Sequence, residues 1–163
     1  MPMQKKHIGF DLNIYPDPAE LSGDDRALLA AAREATSGSY SPYSKFPVGA
    51  AIELATGEVV IGSNQENASY PSGLCAERVA VFQAGARFPG TPVRTLAVYV
   101  GNPGGSLHKP AAPCGNCRQS LLEYEHRQEG PIRILLQAGG GAVYECPSIR
   151  ALLPLGFDPE FLS

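Results

Sequence analysis

Apolar positions along this chain recur with two periods, and segments of the two kinds interleave. Ile8, Phe10, Leu12 and Ile14 are separated by Gly9, Asp11 and Asn13, the period of two expected of a half-buried strand. An irregular arm laid over the surface is the other reading of the same run. Pro16 and Pro18 end it. Ser22 and Asp25 have the spacing of a capping box, and Leu28, Ala31, Ala32 and Ala35 follow at helical spacing, which predicts a helix to about Thr36 with Gly38 as its terminator. Val48–Leu54 and Glu58–Ser63 predict two strands joined by a tight turn at Ala55-Thr56-Gly57. Helical spacing returns from Cys75 to about Arg87 through Ala76, Val79, Ala80 and Ala84, and Pro89-Gly90 stops it. Val93–Gly101 is a nearly continuous apolar run, as in a strand buried on both faces. A Gly/Pro-rich loop over Asn102–Pro113, a helix from Cys114 to about Glu125, a strand over Ile132–Gln137, a short strand over Ala142–Cys146 and a short helix capped by Ser148 complete the chain. Interleaved strands and helices predict one α/β domain of stacked layers. The expected division is an arm over residues 1–21, supplying an added strand, and a single domain over 22–163.

Composition narrows this picture. With 163 residues and 44% hydrophobic content, the chain can bury a core of its own. A net charge of -3 gives no generic basic surface for nucleic acid. No apolar run is long enough to span a bilayer, and the N-terminus has no apolar leader core, so the expectation is a soluble cytoplasmic protein. In a reducing compartment, Cys75, Cys114, Cys117 and Cys146 point to metal or redox chemistry ahead of disulfides.

The candidate chemistry lies in two stretches. The first runs from Asn64 to Arg78 and holds Asn64, Glu66 and Asn67, side chains of the sort that bind sugar hydroxyls, then Cys75 and Glu77. The second is Pro113-Cys114-Gly115-Asn116-Cys117-Arg118. Cysteine-x-glutamate followed downstream by proline-cysteine-x-x-cysteine is the zinc deaminase pattern with three cysteine ligands. Both cysteine groups fall at predicted helix starts, where free N–H groups favour the thiolate. Cys114 and Cys117 share a helix face and can grip one ion. Three protein ligands leave zinc's fourth position open, the catalytic arrangement. Cys146 is either a fourth, structural ligand or a buried free thiol. Arg78 either donates to a cysteine sulfur or is a surface residue, and Arg118 has the same two readings.

These residues strongly resemble the small homotetrameric cytidine deaminases. The resemblance covers most of the chain after the arm. It rests on Tyr40-Ser41-Pro42-Tyr43-Ser44-Lys45-Phe46-Pro47-Val48-Gly49-Ala50-Ala51, on the Asn64–Arg78 stretch, on the second cysteine motif and on the ending Leu152-Leu153-Pro154-Leu155-Gly156-Phe157. It implies a three-layer α/β/α sandwich around a mixed five-stranded sheet. It implies one Zn2+ per subunit on Cys75, Cys114 and Cys117, with Arg78 beside the ligands. Glu77 would be the proton shuttle while zinc-bound hydroxide attacks ring carbon 4 of cytidine or deoxycytidine, releasing ammonia, as in pyrimidine salvage. Phe46, Asn64, Gln65, Glu66 and Ala76 would contact the nucleoside, Asn64 and Glu66 mainly through the ribose 3′-hydroxyl. Ala68, Tyr70 and Phe157 would serve the sites of neighbouring subunits. Phe46 and Phe157 are equally readable as core and tail-docking aromatics. Rival readings are a deaminase of a nucleoside-like antibiotic, a cytosine editor of RNA or DNA, and a module with purely structural zinc. The Asn64/Glu66 pair argues against the first and the net charge against the second.

Overall fold

The computed structural model describes residues 1–101, 107 and 109–162. His108 and much of the loop expected over Asn102–Pro113 lie outside the described residues. Six strands form one mixed sheet: β1 (Asn13–Tyr15), β2 (Val48–Leu54), β3 (Val59–Ser63), β4 (Val93–Val100), β5 (Arg133–Ala138) and β6 (Val143–Cys146). Their spatial order is β1-β6-β5-β4-β2-β3. Only the central β4/β5 pair is parallel; the others run antiparallel. The helices are α1 (Gly23–Ala35), α2 (Ala76–Arg87), α3 (Gly115–His126) and α4 (Ile149–Leu152).

The sheet has six strands where the resemblance implied five, and the additional one is β1, at the edge. The strand expected over Ile8–Ile14 forms only at Asn13–Tyr15, and the residues before it have no regular structure. The β1/β6 register pairs Asn13 with Glu145 and Tyr15 with Val143. Continued outward, that register sets Asp11 opposite Pro147, which has no N–H to give a ladder. Ile8, Phe10 and Leu12 before the strand are exposed, and so is Ile14 within it.

Alternation along the strands divides the core between the two faces. Ala50, Ile52, Leu96, Val98, Ile134 and Leu136 point to one cluster with Ala76, Ala80, Val81, Leu121 and Ile149, from α2, α3 and α4. Ala51, Ala97, Tyr99, Leu135 and Val143 point to the other, with Leu28, Leu29 and Ala32 of α1. This is a three-layer α/β/α arrangement, with one long helix on one face. Two glycines bring the layers together. A Cβ on Gly49 would meet the Ala32 carbonyl oxygen of α1 at 2.0 Å, and one on Gly62 would meet the Ala80 nitrogen of α2 at 2.5 Å.

Polar ties complete the frame. Ser22 caps α1 by accepting from Asp25 N at 3.1 Å. The Asp25 carboxylate does not return the bond, as a capping box would require. It accepts from both terminal guanidinium nitrogens of Arg133, Nη1 at 3.1 Å, and so fastens α1 to β5. Glu125, buried on α3, accepts from Ile132 N and Ile149 N at 2.8 Å each and from Arg150 N at 3.0 Å. One carboxylate thus fixes the entry to β5 and the start of α4.

Candidate active site

The site forms where α2 and α3 begin, beside the C-terminal end of β4, a usual place for ligands in α/β sheets. Cys75 and Cys114 are the N-caps of α2 and α3, with extended backbones (ψ 155° and 170°). Neither side chain caps its helix, so each sulfur stands free beside a helix N-terminus. Cys117 lies one turn into α3 and is fully buried. The Cys75 and Cys114 sulfurs are 3.8 Å apart, and those of Cys114 and Cys117 3.5 Å. All three lie within 4.8 Å of one another, the one such cluster of possible metal ligands among the described residues. Tetrahedral zinc with Zn–S bonds of about 2.3 Å spaces its sulfurs by about 3.8 Å, so this donor set fits the ion in type, number and separation. Cys146 is a buried free thiol in the strand β6, outside the cluster.

Electrostatics tie the sulfurs to their neighbours. The Cys75 thiol is drawn down to about 5, first by a hydrogen bond from Cys117, then by Arg78 and Cys114, against an opposing effect of burial. Cys117, the donor of that bond, is pushed up by it and by burial. Arg78 donates to the Gly73 carbonyl at 3.2 Å, and its buried Nε has no hydrogen-bond partner. Burial works against its charge, but Cys75 and Cys117 outweigh it and strengthen its hold on the proton. Arg78 is half-buried and lines the same cavity wall as Cys75 and Glu77. Glu77 is 5% exposed. Burial foremost, and the negative Cys75 sulfur, raise it to about 7, while Cys117 and Arg78 pull the other way.

These groups border a cavity of about 670 Å³. Phe46, Asn64, Gln65, Glu66, Tyr70, Cys75, Ala76, Glu77, Arg78 and Cys114 all line it, from the residues singled out in the sequence. Ala68 and Phe157 do not. Ala68 is exposed, and Phe157 stacks on Phe161, 5.6 Å between ring centres. Tyr43, Ser44, Asn67, Val98, Val100, Ala111 and Ala112 line the cavity too. Among them the sequence singled out Asn67, while Tyr43 and Ser44 stood only within the loop that carries the resemblance. Ser44 gave no local signal, because its partner is 22 positions away.

The polar residues of the first stretch do much of their work on backbone. Asn64 Oδ1 accepts from Ser39 Oγ at 2.6 Å and Val48 N at 2.9 Å, and its Nδ2 donates to the Phe46 carbonyl at 2.9 Å. Gln65 Nε2 donates to the Gly38 carbonyl at 3.0 Å and to Ser63 Oγ at 3.2 Å. Glu66 Oε2 accepts from Tyr43 N at 2.9 Å and Ser44 N at 3.2 Å, and Ser44 Oγ donates to Oε1. Bridges of Gln65 to Tyr40 and to Leu74 hold the stretch in place. Arg118, left open by the sequence, donates to the Pro113 carbonyl and the Leu152 carbonyl at 2.7 Å each. It ties the second cysteine motif to the end of α4.

Comparison with known proteins agrees with this geometry. The family model described as "Cytidine and deoxycytidylate deaminase zinc-binding region" matches residues 22–128. A cytidine deaminase of Sporosarcina psychrophila is 37% identical over 143 residues, 86% of this chain and 96% of the relative. One from Mycobacterium tuberculosis is 43% identical over 101 residues, 62% of this chain and 71% of the relative. The crystal structure of cytidine deaminase from Burkholderia pseudomallei superposes with a TM-score of 0.71 at 40% identity, covering 81% of this chain and 98% of that one. With its cysteine cluster and fold in accord with these matches, the chain belongs to the zinc-dependent cytidine and deoxycytidylate deaminase family.

Proposed function

We propose that this protein deaminates cytidine and deoxycytidine hydrolytically to uridine and deoxyuridine, releasing ammonia, in pyrimidine salvage. One observation carries the reading: three sulfurs cluster at zinc spacing, and two of them, Cys75 and Cys114, share a cavity wall with a buried carboxylate, Glu77. Cys75, Cys114 and Cys117 would hold the ion, which supplies a nucleophile from water at neutral pH. Glu77 would accept the proton that the attacking water loses and deliver it to ring nitrogen 3, then carry the proton of the hydroxyl added at carbon 4 to the departing amine. Its burial keeps bulk water from competing for that proton. Arg78, against the sulfurs of Cys75 and Cys117, offsets part of the negative charge of three thiolates. Phe46 offers a ring to the pyrimidine face, and Glu66 accepts from a sugar hydroxyl. Asn64 fixes the backbone on both sides of Pro47, directly after Phe46, and a second amide hydrogen remains for the substrate.

The test is an assay with cytidine that follows loss of the cytosine absorbance. The wild-type protein turns over, whereas Glu77→Gln keeps its zinc and loses activity by about 10²–10⁴. A folded, zinc-loaded wild-type protein without turnover would overturn the reading. The family match beginning at residue 22 supports the division into an arm over 1–21 and a deaminase domain over 22–163. No described helix is long and apolar enough to cross a membrane, which suits the proposed place in the cytoplasm. We further propose a homotetramer whose sites are completed by Ala68, Tyr70 and Phe157 of neighbouring subunits. The exposure of Tyr70 at the cavity rim (76%) and of Phe157 (55%) supports this.

A further inference from the structure

We propose that Ser44 is a positioning residue for substrate. Its hydroxyl orients the Glu66 carboxylate so that one acceptor direction is left for a sugar hydroxyl. The proposal rests on the nucleoside reading above and deepens it.

Among the described residues, three charged side chains line the cavity, Glu66, Glu77 and Arg78. The latter two stand with the sulfurs. Glu66 stands with the Tyr43–Phe46 loop and is the anionic acceptor for whatever part of the substrate lies there. A carboxylate has about four lone-pair directions. On Glu66, Tyr43 N and Ser44 N take those of Oε2, and Ser44 Oγ takes one on Oε1. One direction on Oε1 remains, and an ionised oxygen binds a neutral hydroxyl strongly. Ser44's hydrogen bond is also the foremost cause holding the Glu66 carboxyl below its ordinary range, so Glu66 stays an acceptor.

The hydroxyl is itself held in place. Phe46 N donates to Ser44 Oγ at 3.1 Å, which turns the O–H towards Glu66. Lys45, between them, has φ 55°, a left-handed conformation unfavourable to a residue with a side chain. The bonds of Ser44 on either side maintain that turn. The two backbone N–H bonds to Oε2 fix the loop to Glu66 without the hydroxyl. The hydroxyl adds the bond from Phe46 N across the turn and, towards the substrate, the orientation of Oε1.

The experiment compares kcat/KM for cytidine and 3′-deoxycytidine in the wild type, Ser44→Ala and Ser44→Thr. A loss shared by both substrates cancels in their ratio, so loop damage alone leaves the ratio unmoved. The expected result is a wild-type preference for cytidine that falls about tenfold in Ser44→Ala, chiefly through KM, and returns in Ser44→Thr. Should Ser44→Ala not fold, Lys45→Gly and the double variant Ser44→Ala/Lys45→Gly, in which glycine eases the turn, replace the wild type and Ser44→Ala. An unchanged ratio without the hydroxyl, or no recovery with threonine, overturns the proposal. A wild-type ratio near one overturns it while leaving cytidine deamination standing. No wild-type turnover of cytidine overturns both.

Discussion

Asn64, Gln65 and Glu66 each use polar atoms to hold nearby chain, and that is how single residues here build a cavity from loops. The Asn64 amide bonds to the Phe46 carbonyl and to Val48 N, so the chain leaving the ring is fixed before any substrate arrives. Asp25 illustrates a different role, an acidic side chain whose value depends on charge. Burial raises its affinity for a proton, but hydrogen bonds from Arg133 and Ser22 and the Arg133 charge outweigh it, and its carboxyl is held below the ordinary value. Glu145, at 3.9 Å from the same guanidinium, and Thr95, at 3.5 Å, complete the surroundings of Arg133. A depressed folded pKa gives stability that is present above the unfolded pKa and lost as pH falls through the folded one. The gap in Tm between wild type and Asp25→Asn should therefore narrow between about pH 5 and pH 2. A gap constant over that range would show that Asp25 acts through shape rather than charge.

At the scale of elements, close approach decides where the site residues stand. β3 meets α2 at Gly62, and β2 meets α1 at Gly49. α2 carries Cys75 at its cap, so its seat on β3 sets one zinc ligand against the two on α3. Gly49→Ala drives a methyl into the backbone of α1 and should cost about 3 kcal/mol by overpacking, read as a lowered midpoint in urea. A variant as stable as the wild type would mean that α1 can shift without cost. The edge strand β1 is short for an equally local reason, since its ladder runs out at Pro147. Tyr15 donates to Glu145 at 2.8 Å and secures what remains of it.

At the scale of the molecule, the proposed tetramer predicts a sedimenting species of four times the chain mass, and a monomer at assay concentrations would overturn it. The sequence by itself determined the elements, because the period of apolar positions is a local property. Val48–Leu54 appears with the bounds expected from its pattern, and Ser22 and Ser148 cap the helices they precede. It also determined the metal chemistry, since Cys75-x-Glu77 and Pro113-Cys114-x-x-Cys117 carry it in residue type and spacing. The pattern over Ile8–Ile14 misled because a strand needs a partner, and the partner's length is not written in the strand. Tertiary structure alone decided that β1 lies beside β6, that the Asp25 carboxylate pairs with Arg133, and that Ser44 belongs to Glu66. Each of those pairings joins residues far apart in the chain. Only the packed sheet and helices bring such groups within hydrogen-bond reach, where distance and burial set their chemistry.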